Sequence, residues 1–238
     1  MSTKAIIFDK DGTLIDFDSF WVEVSRHAIK TILNKTGMNT VSTDEILEAL
    51  GVENGVTRID GVLCWGTYGQ LGDAIAKALS LHGYNPNGDD LAAITREAYN
   101  LAGDKGKVTA TCDDVIGTLT ELKKRGIILA VVTADGPEMT KKCLDDLKIT
   151  ELFDKIYTDD GIHPPKPDPY CINNICEEFN IKKDDVIMVG DTLTDVNFAK
   201  NGGIRMIAVA KSQSNKELLL AHTDIVLNNV SELINIIE

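Results

Sequence analysis

The sequence carries little positive charge. Its 238 residues include 24 Lys and Arg against 37 Asp and Glu, and the formal net charge at pH 7 is −13. No basic block stands out that could overcome this repulsion, so we expect neither nucleic acid nor an anionic membrane surface as a partner. An anionic substrate would need a locally positive site, most simply a metal ion together with a lysine.

The chain also lacks a long apolar run and a cysteine pattern. No window reaches the apolar length of a membrane span, and no basic segment leads into such a run at the N-terminus, so we expect a cytoplasmic protein. The five cysteines are odd in number and show no CxxC spacing, which favours neither a disulfide framework nor a zinc site. The 43% of apolar residues suffices for one large domain or a domain with an insertion.

Apolar periodicity divides the chain into a helical segment and an alternating one. Amphipathic helical patterns, with no strand run between them, cover residues 16–36, 43–50, 71–81 and 89–102. From residue 108 onwards, short apolar strands alternate with helices, which predicts a parallel sheet covered on both faces. We therefore expect an α/β core, a doubly wound parallel sheet, from residues 1–15 and 108–238, with residues 16–107 as a helical insert.

Polar segments stand where the predicted strands end and in one loop between them. These segments are 9–13 (DKDGT), 133–136 (TADG), 164–169 (PPKPDP) and 190–195 (GDTLTD). Ligand sites in open α/β sheets lie at the carboxyl ends of strands, so the segments converge at one edge of the sheet if these strands are neighbours. Each segment taken alone has an ordinary explanation as a polar turn, a surface lysine or a helix cap.

In order and spacing, these segments strongly resemble the haloacid dehalogenase superfamily of phosphohydrolases, and within it the phosphoglycolate phosphatase-like group with a helical C1 cap. The matching motifs are Asp9-x-Asp11-x-Thr13, then Thr133, then Lys166, then Gly190-Asp191-x-x-x-Asp195. The resemblance covers nearly the whole chain, because the helical insert stands where this family has its cap domain. It implies a Rossmann-like core with an inserted α-helical cap.

The resemblance also implies a role for each motif residue in phosphoryl transfer. Asp9 would be the nucleophile that forms an aspartyl-phosphate, and Asp11 the general acid and base. Thr133, Ala134 and Lys166 would bind the phosphoryl group, with Lys166 also holding Asp9 in place.

A metal ion belongs to the same implied mechanism. A carboxylate can attack phosphorus only if the charge of the phosphate is screened, and a hard cation bound by oxygen ligands does this. The resemblance implies Mg²⁺ held by Asp9, by the backbone carbonyl of Asp11 and by Asp191, with Asp195 in support.

Recognition of the leaving group would fall to the cap. The candidate side chains are Arg26, His27, Arg58, Trp65 and Tyr68. Arg58 is the foremost, since its glycine-rich surroundings indicate a loop and a guanidinium suits a carboxylate or a second phosphate. The alternatives are a solvated surface position for Arg58, the cap core for Trp65 and the surface of a helix for His27.

The implied activity is Mg²⁺-dependent hydrolysis of a small phosphomonoester, either phosphoglycolate-like or a sugar phosphate, by a monomer or homodimer. Asp11 argues against the dehalogenases and the phosphonate-cleaving branch of the superfamily. A sugar phosphomutase stays open, although Thr13 favours hydrolysis, and so does a phospho-accepting regulatory module, although such modules are about half this length. Lys10 departs from the group, which usually has an apolar residue there, and we interpret it as a local salt bridge rather than a substrate contact.

Overall fold

The computed structural model describes residues 3–85 and 90–237, and the chain divides into two compact units. We call Met1–Asp16 with Val108–Glu238 the core unit and Phe17–Lys107 the inserted unit. Strands and helices are numbered along the whole chain. Within the described residues, no helix is both long enough and apolar enough to cross a membrane.

The core unit is built on a six-stranded sheet. Its strands are β1 (Ala5–Phe8), β4 (Ile128–Val132), β5 (Lys155–Tyr157), β6 (Val186–Gly190), β7 (Arg205–Val209) and β8 (Val226–Leu227). They lie side by side in the order β5-β4-β1-β6-β7-β8, and all neighbours are parallel. The prediction of an α/β fold with a parallel sheet is therefore confirmed.

Helices follow the strands along the core unit. They are α6 (Val115–Lys124), α7 (Pro137–Asp146), α8 (Tyr170–Glu178), α9 (Leu193–Gly202) and α10 (Gln213–Leu220), with 3₁₀ segments at Thr150–Leu152, Lys183–Asp185 and Val230–Asn235. All residues of β1 and β6 are buried, as expected for central parallel strands that read as continuous apolar runs. Pro137 stands in the first turn of α7, where its missing N–H costs no helical hydrogen bond.

The order of the strands is what positions the site. Strand β1 lies between β4 and β6, and Phe8 is in register with both Val131 and Val189. Because the three strands are parallel and neighbouring, the residues that follow them leave the sheet at the same edge. Three of the polar segments therefore begin side by side.

The inserted unit is mainly helical. A π-helix at Asp18–Val22 runs into α1 (Glu23–Thr36), followed by α2 (Thr43–Ala49), α3 (Val62–Trp65), α4 (Tyr68–Ser80) and α5 (Leu91–Ala102). The predicted helix over 89–102 starts at residue 89, which lies outside the described residues. Helix α5 packs against α1 and α4, and Tyr99 Oη on α5 donates a 2.9 Å hydrogen bond to Ser25 Oγ on α1.

The expectation that no strand interrupts these helices is wrong. Strands β2 (Val52–Glu53) and β3 (Val56–Thr57) form an antiparallel hairpin. Asn54 and Gly55 make its turn with φ of 53° and 78°, the conformation for which Asn-Gly is the preferred pair in a two-residue hairpin loop. The Asn-Gly pair between Glu53 and Val56 was the sequence signal for this hairpin.

Candidate active site

Three predicted site residues follow the central strands directly. Asp9, Thr133 and Asp191 come after β1, β4 and β6. The Asp9 amide donates to the Val189 carbonyl at 2.8 Å, and the Thr133 amide donates to the Tyr157 carbonyl at 3.0 Å, so the ladder of the sheet extends into these positions. Asp9 and Thr133 are both buried. The sheet thus fixes the backbone from which these side chains project.

Lys166 joins two of the carboxylates. Its Nζ donates to Asp9 Oδ1 at 2.5 Å and to Asp195 Oδ1 at 2.7 Å, and its side chain is only 5% exposed. Burial disfavours the charged lysine, but the carboxylates of Asp195 and Asp9 outweigh it and raise the pKa of Lys166 above its ordinary value. The ammonium is therefore a permanent positive charge that holds both carboxylates.

Asp195 is held by the start of a helix as well as by Lys166. Thr192 and Asp195 form a capping box at the N-terminus of α9, in which Thr192 Oγ1 donates to Asp195 Oδ2 at 2.7 Å and the Thr192 amide donates to the same oxygen at 3.1 Å. The helix cap thus uses Oδ2, and Lys166 uses Oδ1. This second set of bonds makes Asp195 a rigid, fully buried anchor.

Asp191 completes an acidic triad. One carboxylate oxygen from each of Asp9, Asp191 and Asp195 lies within 4.8 Å of the others, an arrangement that could hold a metal ion. Thr13 Oγ1 donates to Asp191 Oδ1 at 3.1 Å. The other oxygen, Oδ2, lies against Gly12, where a Cβ atom would come within 2.0 Å of it. Only glycine leaves room for Asp191 in this place, and the φ of +78° at Gly12 also favours glycine.

The buried carboxylates raise one another's pKa. Burial is the main cause that raises the pKa of Asp9 to about 7; Asp195 and Asp11 add to the rise, and Lys166 opposes it. Burial, followed by the charges of Asp9 and Asp195, holds the pKa of Asp191 well above its ordinary value. These groups repel one another as anions, and a cation between them would remove that repulsion, so the donor set fits a hard divalent ion.

A second lysine bridges two further carboxylates. Lys10 Nζ lies 2.6 Å from Asp11 Oδ2 and 2.9 Å from Asp135 Oδ2, and the Lys10 side chain is fully buried. The interpretation of Lys10 as a local salt bridge is confirmed, but sequence reasoning missed how deeply it is buried and missed the role of Asp135. The position of Asp135 two residues after Thr133 was the available signal.

The phosphate-binding candidates Thr133 and Ala134 stand next to each other directly after β4. Ala134 is exposed beside the buried Thr133. The Asp135 amide donates to Thr133 Oγ1 at 3.2 Å, so the hydroxyl oxygen is used as an acceptor and its proton can go to another group. The structure thus brings Asp9, Thr133 and Lys166 to one edge of the sheet in the core unit.

Arg58 is placed in the inserted unit and is already neutralised there. Its guanidinium contacts Glu53 Oε1 at 2.7 Å and Asp60 Oδ1 at 3.0 Å, with 52% of the side chain exposed. These contacts favour the alternative of a solvated surface arginine. The expectation that Trp65 lies in the core of this unit is wrong. Trp65 is 56% exposed, and its Nε1 donates to the Asp60 carbonyl at 3.1 Å.

The other candidates of the inserted unit also have partners of their own. Arg26 pairs with Asp44 at 2.5 Å. His27 lies 3.4 Å from Glu23 on α1, which agrees with the alternative that His27 is a residue of a helix surface. The Tyr68 ring packs against the Tyr99 ring at a tilt, with 5.7 Å between the centroids and 48° between the ring planes.

Comparison with known proteins gives consistent results over the full length of the chain. It is 25% identical over 237 residues to a phosphoglycolate phosphatase of Vibrio parahaemolyticus, covering 98% of this chain and 96% of that protein. It is 24% identical to the pyrophosphatase PpaX of Bacillus mycoides, covering 100% and 98% of the two chains. Among solved structures, a predicted phosphoglycolate phosphatase from Haemophilus somnus matches with a TM-score of 0.76 at 20% identity, covering 100% and 99%.

A family model decides the assignment. The model described as haloacid dehalogenase-like hydrolase matches residues 3–203, which span β1, the whole inserted unit and every motif from Asp9 to Asp195. The solved structure agrees with this match at the level of the fold. This chain therefore belongs to the haloacid dehalogenase-like hydrolase family.

Proposed function

We propose that this protein is a metal-dependent phosphatase that hydrolyses a small phosphomonoester, phosphoglycolate-like or a sugar phosphate, through a phosphorylated Asp9. The observation that carries the proposal is the Asp9 carboxylate, which Lys166 holds at 2.5 Å within an acidic triad. A nucleophilic carboxylate needs a fixed orientation and a nearby positive charge, and Lys166 supplies both. We also propose that the inserted unit selects the leaving group.

The chemistry proceeds in two halves on the residues of the core unit. In the first, a carboxylate oxygen of Asp9 forms a bond to phosphorus while the bond from phosphorus to the ester oxygen breaks, and Asp11 gives its proton to that oxygen. In the second, Asp11 takes a proton from a water molecule, whose oxygen attacks phosphorus and releases Asp9 and inorganic phosphate. Thr133, Ala134 and Lys166 would bind the phosphoryl oxygens through the Thr133 hydroxyl, the Ala134 amide and the Lys166 ammonium.

A divalent cation, which we propose to be Mg²⁺, fits the charge of the site. Five carboxylates face two ammonium groups there: Asp9, Asp11, Asp135, Asp191 and Asp195 against Lys10 and Lys166. Asp9, Asp191 and the backbone carbonyl of Asp11 would hold the ion, with Asp195 in support. When bound, it would neutralise charge on the phosphoryl oxygens and between the carboxylates.

The test is phosphate release from a panel of phosphoglycolate, sugar phosphates, nucleotides and pyrophosphate, with Mg²⁺ and with a chelator. We expect turnover of a narrow subset, abolished by the chelator and restored by Mg²⁺. Pyrophosphate belongs in the panel because one relative is a pyrophosphatase. Absence of release from every compound, with folded protein and bound metal, would refute the phosphatase function.

Asp9→Asn tests the nucleophile, and Asp185→Asn is its matched control. Asp185 also flanks the central strands, but it pairs with Lys4 at 3.3 Å beside the start of β1, at the opposite edge of the sheet. We expect Asp9→Asn to lower kcat by at least about 10³-fold and Asp185→Asn to leave it unchanged. Full activity of a folded Asp9→Asn variant would show that another group attacks phosphorus.

A further inference from the structure

The side chain of Lys10 is the starting point. It is among the largest fully buried side chains of the protein, with 0% exposure. Lysine is almost never fully buried unless its charge is paired, because the ammonium loses its hydration. The position directly follows Asp9 at the end of β1, where an apolar side chain would pack without this cost. A buried ammonium here therefore calls for a role that an apolar residue could not fill.

The ammonium of Lys10 connects two loops of the core unit. Asp11 belongs to the loop after β1 and Asp135 to the loop after β4, and their Oδ2 atoms lie 2.6 Å and 2.9 Å from Lys10 Nζ. Their side chains are 14% and 19% exposed, and two carboxylates this close to one cation would repel each other without it. Lys10 therefore fixes where the Asp11 carboxyl group lies relative to the loop that carries Thr133.

The two oxygens of Asp11 have different environments. Oδ2 forms an ion pair with Lys10, whereas Oδ1 is buried and has no such contact. Among residues 3–85 and 90–237, Oδ1 has no hydrogen-bond partner, and neither have the two ion-paired atoms Lys10 Nζ and Asp135 Oδ2. A buried carboxyl oxygen without a partner is costly in a folded protein, so such an atom needs an explanation. A proton that passes between Oδ1 and a bound substrate would supply the missing partner.

We propose that Lys10 is a positioning residue for the general acid: its ammonium, anchored by Asp135, holds Asp11 Oδ2 so that Oδ1 carries out the proton transfer. This inference rests on the proposed phosphatase function. Oδ1–H gives its proton to the ester oxygen while the bond from phosphorus to that oxygen breaks and the bond to Asp9 forms. Lys10 remains an ammonium throughout and is neither acid nor nucleophile.

The experiment compares two leaving groups in the first turnover. An alkyl phosphate releases an alkoxide that must be protonated, whereas p-nitrophenyl phosphate releases a phenolate that is stable without a proton. Lys10→Met removes the ammonium and keeps a side chain of similar length. Lys4→Met is the matched control, since Lys4 stands just before the same strand, half-exposed, in an ion pair of 3.3 Å. Rapid-quench release of each leaving group is measured, with Asp11→Asn as the reference.

The expected result is a selective loss. Lys10→Met lowers the first-turnover rate with the alkyl phosphate by about 10²-fold, changes the rate with p-nitrophenyl phosphate by less than about fivefold, and leaves KM unchanged within about twofold. Asp11→Asn shows the same selectivity, and the double variant Lys10→Met/Asp11→Asn loses no more than Asp11→Asn alone, because both changes remove one function. Lys4→Met matches the wild type with both substrates.

Other outcomes overturn the proposal and separate it from the function on which it rests. Equal losses with both substrates, or no loss with either, would show that Lys10 does not act through Asp11. If Lys10→Met fails to fold, Lys10→Met/Asp135→Asn removes one of the two carboxylates that the first change leaves without a cation. Failure of both variants to fold would assign Lys10 to stability alone. A wild type that hydrolyses no alkyl phosphate would refute the phosphatase function. An active wild type would refute only the positioning role if Asp11→Asn lost rate with the alkyl phosphate alone but Lys10→Met did not.

Discussion

Replacing Gly12 by alanine tests whether the close approach of Asp191 to the backbone is needed for the site. A Cβ at this position would come within 2.0 Å of Asp191 Oδ2 and 2.5 Å of its Cγ, about 1 Å inside the closest approach that such atoms make. Because Thr13 also bonds the Asp191 carboxyl group, at 3.1 Å, that group cannot turn aside without losing a hydrogen bond. Gly12→Ala therefore displaces Asp191 by about 1 Å.

The expected effect of Gly12→Ala has two parts, a loss of stability from the backbone conformation and a loss of metal binding and activity at the site. An alanine in the left-handed conformation costs about 1 kcal/mol of stability after allowance for the smaller entropy of its unfolded chain. Displacement of a carboxylate ligand by about 1 Å exceeds the tolerance of a metal site, which is about 0.2 Å in ligand distance. We expect affinity for Mg²⁺ to fall about 10–100-fold and kcat to fall about 10²-fold.

Gly126→Ala is the matched control. Gly126 has the same φ of +78° and lies in the same unit, but a Cβ there would meet nothing within 4 Å. In urea denaturation, Gly126→Ala should lose only the backbone part of the stability, and Gly12→Ala should lose that part together with the Thr13 hydrogen bond, about 1 kcal/mol more. Only Gly12→Ala should lose Mg²⁺ affinity by calorimetry and phosphate release. If Gly12→Ala kept the Mg²⁺ affinity and activity of Gly126→Ala, the placement of Asp191 against Gly12 would have no bearing on the site.

Three further predictions concern the inserted unit and the buried thiols. Arg58→Ala should change stability by less than about 1 kcal/mol and leave KM unchanged, because the ion pairs of Arg58 are exposed; a large rise in KM would restore its role in substrate binding. Tyr99→Phe should lower the free energy of unfolding by about 1 kcal/mol in urea denaturation, through loss of the buried hydrogen bond to Ser25; no change would show that the bond adds nothing to stability. Burial raises the pKa of the Cys143 and Cys171 thiols from 9.0 to about 11, so their contribution to stability is complete below about pH 9 and is lost as the pH rises towards 11. Urea denaturation at pH 8 and pH 10.5 should show this decline, and alanine at both positions should reduce it; an equal decline in that variant would contradict the assignment.

The parallel sheet was predictable because its signal is local. Strands such as Ile128–Val132 are continuous apolar runs bounded by glycine or polar residues, and their alternation with helices allows few topologies. The hairpin at Val52–Thr57 escaped because each strand has only two residues, too short for a periodic pattern. The only local sequence signal for the hairpin was the Asn54-Gly55 pair, which was interpreted as part of a glycine-rich loop.

The contacts within the site were less accessible from the sequence. Asp9, Thr133 and Asp191 could be placed at one edge because each follows a strand, and strand ends depend on local patterns. The pairing of Lys166 with Asp9 was expected only from the family resemblance, and its pairing with Asp195 was not predicted. Both depend on how a loop folds back over the sheet, and no periodicity records this.

The two buried lysines show whether lysine alone can supply the local positive charge that a phosphate needs in so acidic a chain. A chain of charge −13 needs local positive charge to bind a phosphate, yet each lysine already bridges two carboxylates: Lys166 joins Asp9 to Asp195, and Lys10 joins Asp11 to Asp135. Because both ammonium groups are balanced within the protein, they cannot by themselves offset the charge of a phosphate. On the proposed function, most of that task falls to the cation. Lys166 adds a hydrogen bond to the phosphoryl oxygens besides holding the nucleophile, and Lys10 holds the acid in place. Loss of Lys166 should therefore impair attack with every leaving group, whereas loss of Lys10 should impair only those that need a proton.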